Sequence, residues 1–120
     1  MEQAGYQHLD TATLDQYVAA IGAGTLLKSV VLFEQMAPEY LAAVAQGMAD
    51  ADKAVITSEA HKLKGAAGSV GLKRIQELSQ SLQCGDEAAW PAQHPQWFEA
   101  IQTHLAGDVA LLKQYLNERS

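Results

Sequence analysis

Apolar residues recur along the chain in steps of three and four, the spacing that lines one side of an α-helix. Leu14, Tyr17, Val18 and Ile21 form the first such run, with Asp10 or Thr11 as its N-cap and Gly22 and Gly24 as its stop. A longer stripe follows through Leu26, Val30, Phe33, Ala37, Leu41, Val44 and Met48, predicting a second helix from Thr25 to Met48. Pro38 lies inside it and removes one backbone donor, so a kink or break is expected there. Asp50 and Asp52 supply the next N-terminal signal. The third helix should run from Asp52 to Val70, with Ile56, Ala60, Leu63, Ala67 and Val70 inward and Gly71 as its C-cap. A fourth begins near Leu72 or Lys73, buries Ile75, Leu78 and Leu82, and stops at Gly85.

The stretch from Gly85 to Pro95 holds two prolines and reads as a loop, with room for one helical turn around Glu87 to Trp90. Pro95 suits the first turn of a last helix carrying Trp97, Ile101, Leu105, Val109, Leu112 and Leu116. No segment alternates like a strand, and none repeats. Amphipathic helices joined by short turns pack most simply as an antiparallel four-helix bundle. The short N-terminal helix would lie across one end. The expected fold class is therefore all-α, as a single domain over residues 1–120 with a tail at 1–9.

Composition supports this picture and narrows the setting. Hydrophobic residues make up 48% of the 120 positions, with only three prolines. The single cysteine, Cys84, has no partner for a disulfide, which suits a reducing cytoplasm. No apolar run reaches membrane-spanning length, and the N-terminus lacks a signal-peptide layout. A net charge of −6 argues against nucleic acid as a partner. The charge is uneven, however. From His61 to Arg74 there are four cations (Lys62, Lys64, Lys73, Arg74) and no acid, which suggests an anionic partner or ligand at that patch, although charge alone favours a solvated helix face.

The third helix carries the informative run, Ala60 to Gly71. At about 100° per residue, His61, Lys64, Gly65 and Gly68 share a narrow stripe well away from the Ile56–Leu63–Ala67 side. His61 should project to solvent. Each interior glycine costs a helix about 0.5–1 kcal/mol relative to Ala, so something else must favour Gly65 and Gly68. Bare backbone beside the ring would admit a bulky partner, and the Lys64 ammonium could neutralise a phosphoryl group on the imidazole.

His61-Lys62-Leu63-Lys64-Gly65-Ala66-Ala67 resembles the signature of histidine-containing phosphotransfer (HPt) domains at every position. The likeness continues through Gly68, Ser69, Val70 and Gly71 and more loosely over nearly the whole chain. It is greatest to the C-terminal HPt domain of the Arc-type (aerobic respiration control) hybrid sensor kinases. There, segments resembling Phe33 to Pro38 and Gly65 to Leu72 occur at the same spacing. This resemblance implies a helical bundle with His61 as the phosphorylated residue, Lys64 beside the phosphoryl group, and Gly65 keeping the ring accessible. It implies that Gln83 hydrogen-bonds the imidazole, with Gln76 and Gln80 as weaker candidates. Response-regulator receiver domains would be the partners, with a hybrid sensor histidine kinase as a further donor. The receiver would bring Mg2+ and most of the catalytic groups; this chain would bind no cofactor or metal. Lys62 and Lys73 are candidates for docking.

The chain has no glycine-rich nucleotide loop and no P-loop, so it is not expected to phosphorylate itself from ATP and is not an enzyme in its own right. Other residues read more plainly. His8, His94 and His104 lack a matching environment and have no metal-ligand spacing. Cys84 reads as a helix-end residue, and Trp90 and Trp97 as packing for the bundle end. A second reading has the chain as a non-phosphorylated adaptor that docks a receiver; the intact His61 and Lys64 count against it. A complete bundle needs no dimer, so a monomer is expected.

Overall fold

The computed structural model describes residues 6–120, which form five helices and, among the described residues, no strand. They are α1 (Thr11–Ile21), α2 (Ala23–Ala49), α3 (Lys53–Ser69), α4 (Lys73–Gln83) and α5 (Trp90–Asn117). α2 packs on α3, α3 on α4, α4 on α5 and α5 on α2, so these four close around one core. α1 packs on α2. The molecule is elongated, 44 × 28 × 21 Å.

The caps explain why the helices start and end where they do. Asp10 accepts from Thr13 N–H at 3.1 Å and Asp52 from Val55 N–H at 3.2 Å, each meeting a first-turn donor that lacks a helical partner. α3 ends with Gly71 at φ 75°, where Leu72 N–H returns to Ala67 O (3.0 Å) and Gly71 N–H to Gly68 O (3.2 Å). That pair of bonds is a Schellman motif. α2 ends in the same way, with Asp52 N–H to Gly47 O and Ala51 N–H to Met48 O. Here the left-handed position is filled by Ala51 at φ 51°, a conformation that a Cβ opposes.

Several boundaries depart from the sequence-based expectation. Gly22 alone, at φ 86°, is both the last cap of α1 and the first of α2; Gly24 lies inside α2. α2 is not broken at Pro38 but continues through it to Ala49. α5 begins at Trp90, five residues before Pro95, which falls inside the helix. Pro91 in the first turn favours the earlier start, since its missing donor has no helical partner there. Trp90 anchors that turn: it is buried, its Nε1–H donates to Leu82 O at 2.7 Å, and the His94 ring stacks on it at 4.0 Å.

The core follows the predicted stripes with informative shifts of phase. Leu26, Val30, Phe33, Ala37 and Val44 of α2, and Ile56, Ala60, Leu63 and Ala67 of α3, are buried as expected. Ile21 is half exposed instead of inward. On α4 the buried position is Ser79, with Leu78 only partly covered. On α5 Phe98 and Asp108 are buried, while Trp97 and Leu105 pack at the margin.

The expected N-terminal tail, residues 1–9, falls in two parts. Residues 1–5 lie outside the described residues. Tyr6 and Leu9 are buried, so this stretch is packed rather than loose. Asp10 N–H donates to Gly71 O and Arg74 N–H to His8 O, clipping the segment to the α3–α4 turn. Leu14 lies where a side chain on Gly71 would go: a Cβ there would stand 2.7 Å from Leu14 Cδ2. Tyr115, buried beneath α1, donates to Asp15 Oδ1 at 2.5 Å. Burial and that bond push its pKa up to about 12.

Candidate functional site

α3 divides its residues between two jobs. Ala60, Leu63 and Ala67 are fully buried and hold the helix in the core. His61, one position out of phase with Ala60, is exposed. No side-chain hydrogen bond or ion pair among the described residues engages it, while its neighbour Lys62 bonds Glu59 at 3.0 Å. An imidazole with no carboxylate partner is not part of a relay of the Ser–His–Asp kind. It is a free nucleophile or base, offered to whatever approaches the helix. Among the described residues no group of three or more His, Cys, Asp or Glu could hold a metal ion.

The two glycines of the stripe differ. A Cβ at Gly65, one turn beyond His61, would meet nothing within 4 Å, so that surface is bare. A Cβ at Gly68 would stand 2.8 Å from Gln76 Nε2. The space at Gly68 is therefore filled by the Gln76 amide from α4, and this glycine seats a neighbouring helix instead of opening a surface. Spacing alone could not separate these two roles.

The same contacts set the register of α3 against α4. Gly68 meets Gln76, and Lys64 shares a groove with Gln76 and Gln80. Beyond α4, a Cβ on Gly85 would stand 3.0 Å from Thr57 Cγ2 and 2.6 Å from Lys53 Cε. Moving back along α3 is matched by moving forward along α4, so the two helices run in opposite directions. By this count Gln83 falls within about a turn of the level of His61. No hydrogen bond joins them, however. Gln83 Oε1 is buried and has no partner among the described residues.

The groove beside Lys64 is about 580 Å³ and open, lined also by Lys73, Glu77 and the chain from Leu9 to Ala12. It settles what becomes of the four-cation patch. Arg74 is withdrawn from it: Nη2–H donates to Asp108 Oδ1 at 2.6 Å and Nε–H to Oδ2 at 3.0 Å. Asp108 is only 2% exposed, so this is a two-pronged, largely buried ion pair holding α4 to α5. Lys62 is held by Glu59. Lys64 and Lys73, with no ion pair among the described residues, remain on the groove wall. Helical phase signals this pairing, because Asp108 falls three after Leu105 and four before Leu112, in the middle of an apolar stripe. A carboxylate placed there needs a cation.

The remaining candidates are structural. His94 stacks on Trp90 and its Nδ1–H donates to Trp90 O at 2.9 Å. His8 and His104 are half-buried, and Cys84 is the half-buried C-cap of α4, near Gln80 Nε2 at 3.2 Å.

The all-helical core thus carries an exposed histidine that has no side-chain partner among the described residues, with bare backbone a turn away and a lysine beside it. The Hpt domain model matches residues 28–117, and the chain belongs to that family, whose members carry phosphoryl groups between two-component signalling proteins. It is 36% identical over 108 residues to the aerobic respiration control sensor protein ArcB of Escherichia coli (strain K12), and equally to that of Shigella flexneri. The match takes in 90% of this chain but 14% of those proteins, so the chain spans about one-seventh of their length. Among solved structures, the histidine-containing phosphotransfer domain of ArcB from Escherichia coli superposes with a TM-score of 0.93. The identity is 34%, with 97% of this chain and 98% of that chain covered. A solution structure of the same domain gives a TM-score of 0.87.

Proposed function

We propose that His61 accepts a phosphoryl group from the aspartyl phosphate of one receiver domain and passes it to the aspartate of another. The observation that carries this is the exposed, unpartnered imidazole facing bare Gly65, with the Lys64 ammonium one turn along. In the forward step the lone pair of a neutral ring nitrogen attacks phosphorus. An N–P bond forms, the P–O bond to aspartate breaks, and the carboxylate leaves with the bonding pair. The phosphoramidate is itself a good donor, so the reverse transfer runs by the same path. Catalysis of this kind is largely positioning and charge neutralisation.

Roles follow from place. Gly65 admits the partner, Lys64 offsets charge on the phosphoryl group, and Gln83, from the facing end of α4, orients the ring. Gly68 contributes by seating Gln76. Lys73 on the groove wall meets acidic residues of the receiver, and Lys62 does so when it leaves Glu59. The receiver supplies Mg2+ and most of the catalytic groups; this chain is a carrier without autokinase activity. We place it in the cytoplasm, where a lone thiol such as Cys84 stays reduced. It acts as a monomeric antiparallel four-helix bundle of α2 to α5 with α1 at one end. The resemblance to ArcB makes a hybrid sensor kinase the natural origin of its phosphoryl groups.

Incubation with a radiolabelled, phosphorylated receiver tests this. The chain should acquire label that is acid-labile and base-stable, and His61→Gln should acquire none. Equal labelling of His61→Gln and the parent protein would end the proposal.

A further inference from the structure

Tyr6 and Leu9, on the stretch before α1, are both buried and act as its anchors. Tyr6 stands edge-on to Tyr115 with ring centres 4.9 Å apart. Its hydroxyl donates to Glu118 Oε1 at 2.9 Å and accepts from Gln114 Nε2 at 3.0 Å. Further along, the backbone of His8 and Asp10 is bonded to Arg74 and Gly71 across the α3–α4 turn. Asp10 then gives both carboxylate oxygens to Thr13, so α1 starts from a fixed point. Leu9 to Ala12 is thereby a fixed wall, and the groove of about 580 Å³ lies between it and Lys64, Gln76 and Gln80.

Lys64 belongs to two surfaces at once. It is one turn from His61, and it lines this groove. A protein that covers the ring therefore covers the mouth of the groove. Specific interfaces bury about 800 Å² on each partner, a disc of about 16 Å radius. Gly71 is ten residues beyond His61, about 15 Å at the rise of a helix, and its carbonyl accepts from Asp10 N–H. The wall thus stands at the edge of that disc, where interfaces are polar and charges steer association. Charge there favours an anionic visitor. Lys64 and Lys73 make no ion pair among the described residues. Of the two acids in the groove, Asp10 is held at the N-terminus of α1, which leaves Glu77 to oppose them. A receiver presents an aspartyl phosphate and the carboxylates that hold its Mg2+, an anionic face.

We propose that the wall formed by Leu9 to Ala12 is a second docking surface for the receiver, lying across the groove from Lys64 and setting how tightly each receiver is held. The identity of the partner rests on the phosphocarrier reading. The wall acts on docking and leaves the transfer step to His61 and Lys64. Because it is already held at both ends, contacts made there lose little to ordering. Ala12 is the position that reports on it, being exposed, at the second position of α1 and on the rim of the groove.

The test uses the whole chain with Ala12→Glu or Ala12→Arg. Transfer of label from a panel of purified receiver domains, phosphorylated with a small acyl phosphate, is timed at rising receiver concentration and at low and high salt. Thermal melts accompany each variant. At low salt Ala12→Glu should raise the half-saturating receiver concentration about two- to fivefold and Ala12→Arg lower it by a similar factor, the effect of one exposed charge. The maximal rate should not change in either. High salt should erase the difference. Stability should run the other way, because the N-terminus of α1 favours an acid and disfavours a cation; a variant that merely disturbed the fold would show the opposite order. Equal half-saturation in the two variants at low salt, shifts of the same sign, or a changed maximal rate instead would overturn the proposal. ¹⁵N–¹H spectra of the unphosphorylated chain, titrated with the same receivers, separate the two readings. Shifts at Leu9, Thr11 and Ala12 support the wall even if the parent takes no label at His61, a failure that would sink the carrier reading alone. Binding that leaves those amides unmoved overturns the wall.

Discussion

Gly65 sits in the interior of α3, where a helix favours almost any other residue. Ala is better than Gly by about 1 kcal/mol at such a position, chiefly because the unfolded glycine has more freedom to lose. A Cβ at Gly65 would meet nothing within 4 Å, so no packing gain or clash alters that figure. Gly65→Ala should therefore raise stability by about 1 kcal/mol, which for a domain of this size moves Tm by about 3–5 °C. The same methyl stands on the face of His61, with Cβ atoms about 5–6 Å apart. Docked protein surfaces pack as densely as interiors, and a displacement of about 1 Å at a reacting centre can cost about a hundredfold. Gly65→Leu should thus slow phosphoryl transfer by tenfold or more while leaving the fold intact. Thermal melts and initial rates of label transfer, measured on both variants, check the two halves together. A lower Tm for Gly65→Ala would refute the open-surface geometry. Parent-like transfer by Gly65→Leu would refute the idea that bare backbone is there to admit a partner.

Two further outcomes concern stability alone. Arg74→Met should cost about 3–5 kcal/mol in urea denaturation at unchanged slope, because Asp108 would stay buried without its cation; Asp108→Asn should cost less, since a quarter of the Arg74 side chain already reaches solvent. Ala51→Gly should stabilise by about 1 kcal/mol, read as a shift of the urea midpoint, because it relieves the left-handed strain at φ 51°.

The fold was legible where apolar spacing was regular. The α3 stripe is buried as read, and Gly71 caps it because a glycine with an apolar residue after it is what a Schellman ending needs. The end of α2 was harder to see, since Ala51 fills that position without the usual glycine. The start of α5 was obscured by two prolines that usually punctuate, although Pro91 in a first turn is compatible with helix and Trp90 outweighs the donor missing at Pro95. At the site, one motif made His61, Lys64 and Gly65 visible. The motif could not show that Gly68 faces Gln76, that Arg74 leaves the basic patch, or that Ser79 replaces Leu78 inside. Those depend on which faces of other helices arrive, and single-helix periodicity carries no such information.

Gly22 serves two helices at once, and that leaves the α1–α2 junction without slack. One residue inserted there would turn α1 by about 100° about its axis and carry Leu14 off the Gly71 backbone it covers. The whole N-terminal clip depends on that phase. Between α4 and α5, by contrast, Asp86 to Ala89 are exposed and can absorb a change of length without rotating either helix. Natural variants of this fold that differ in length should therefore differ at 86–89 and hold the count at Gly22 fixed.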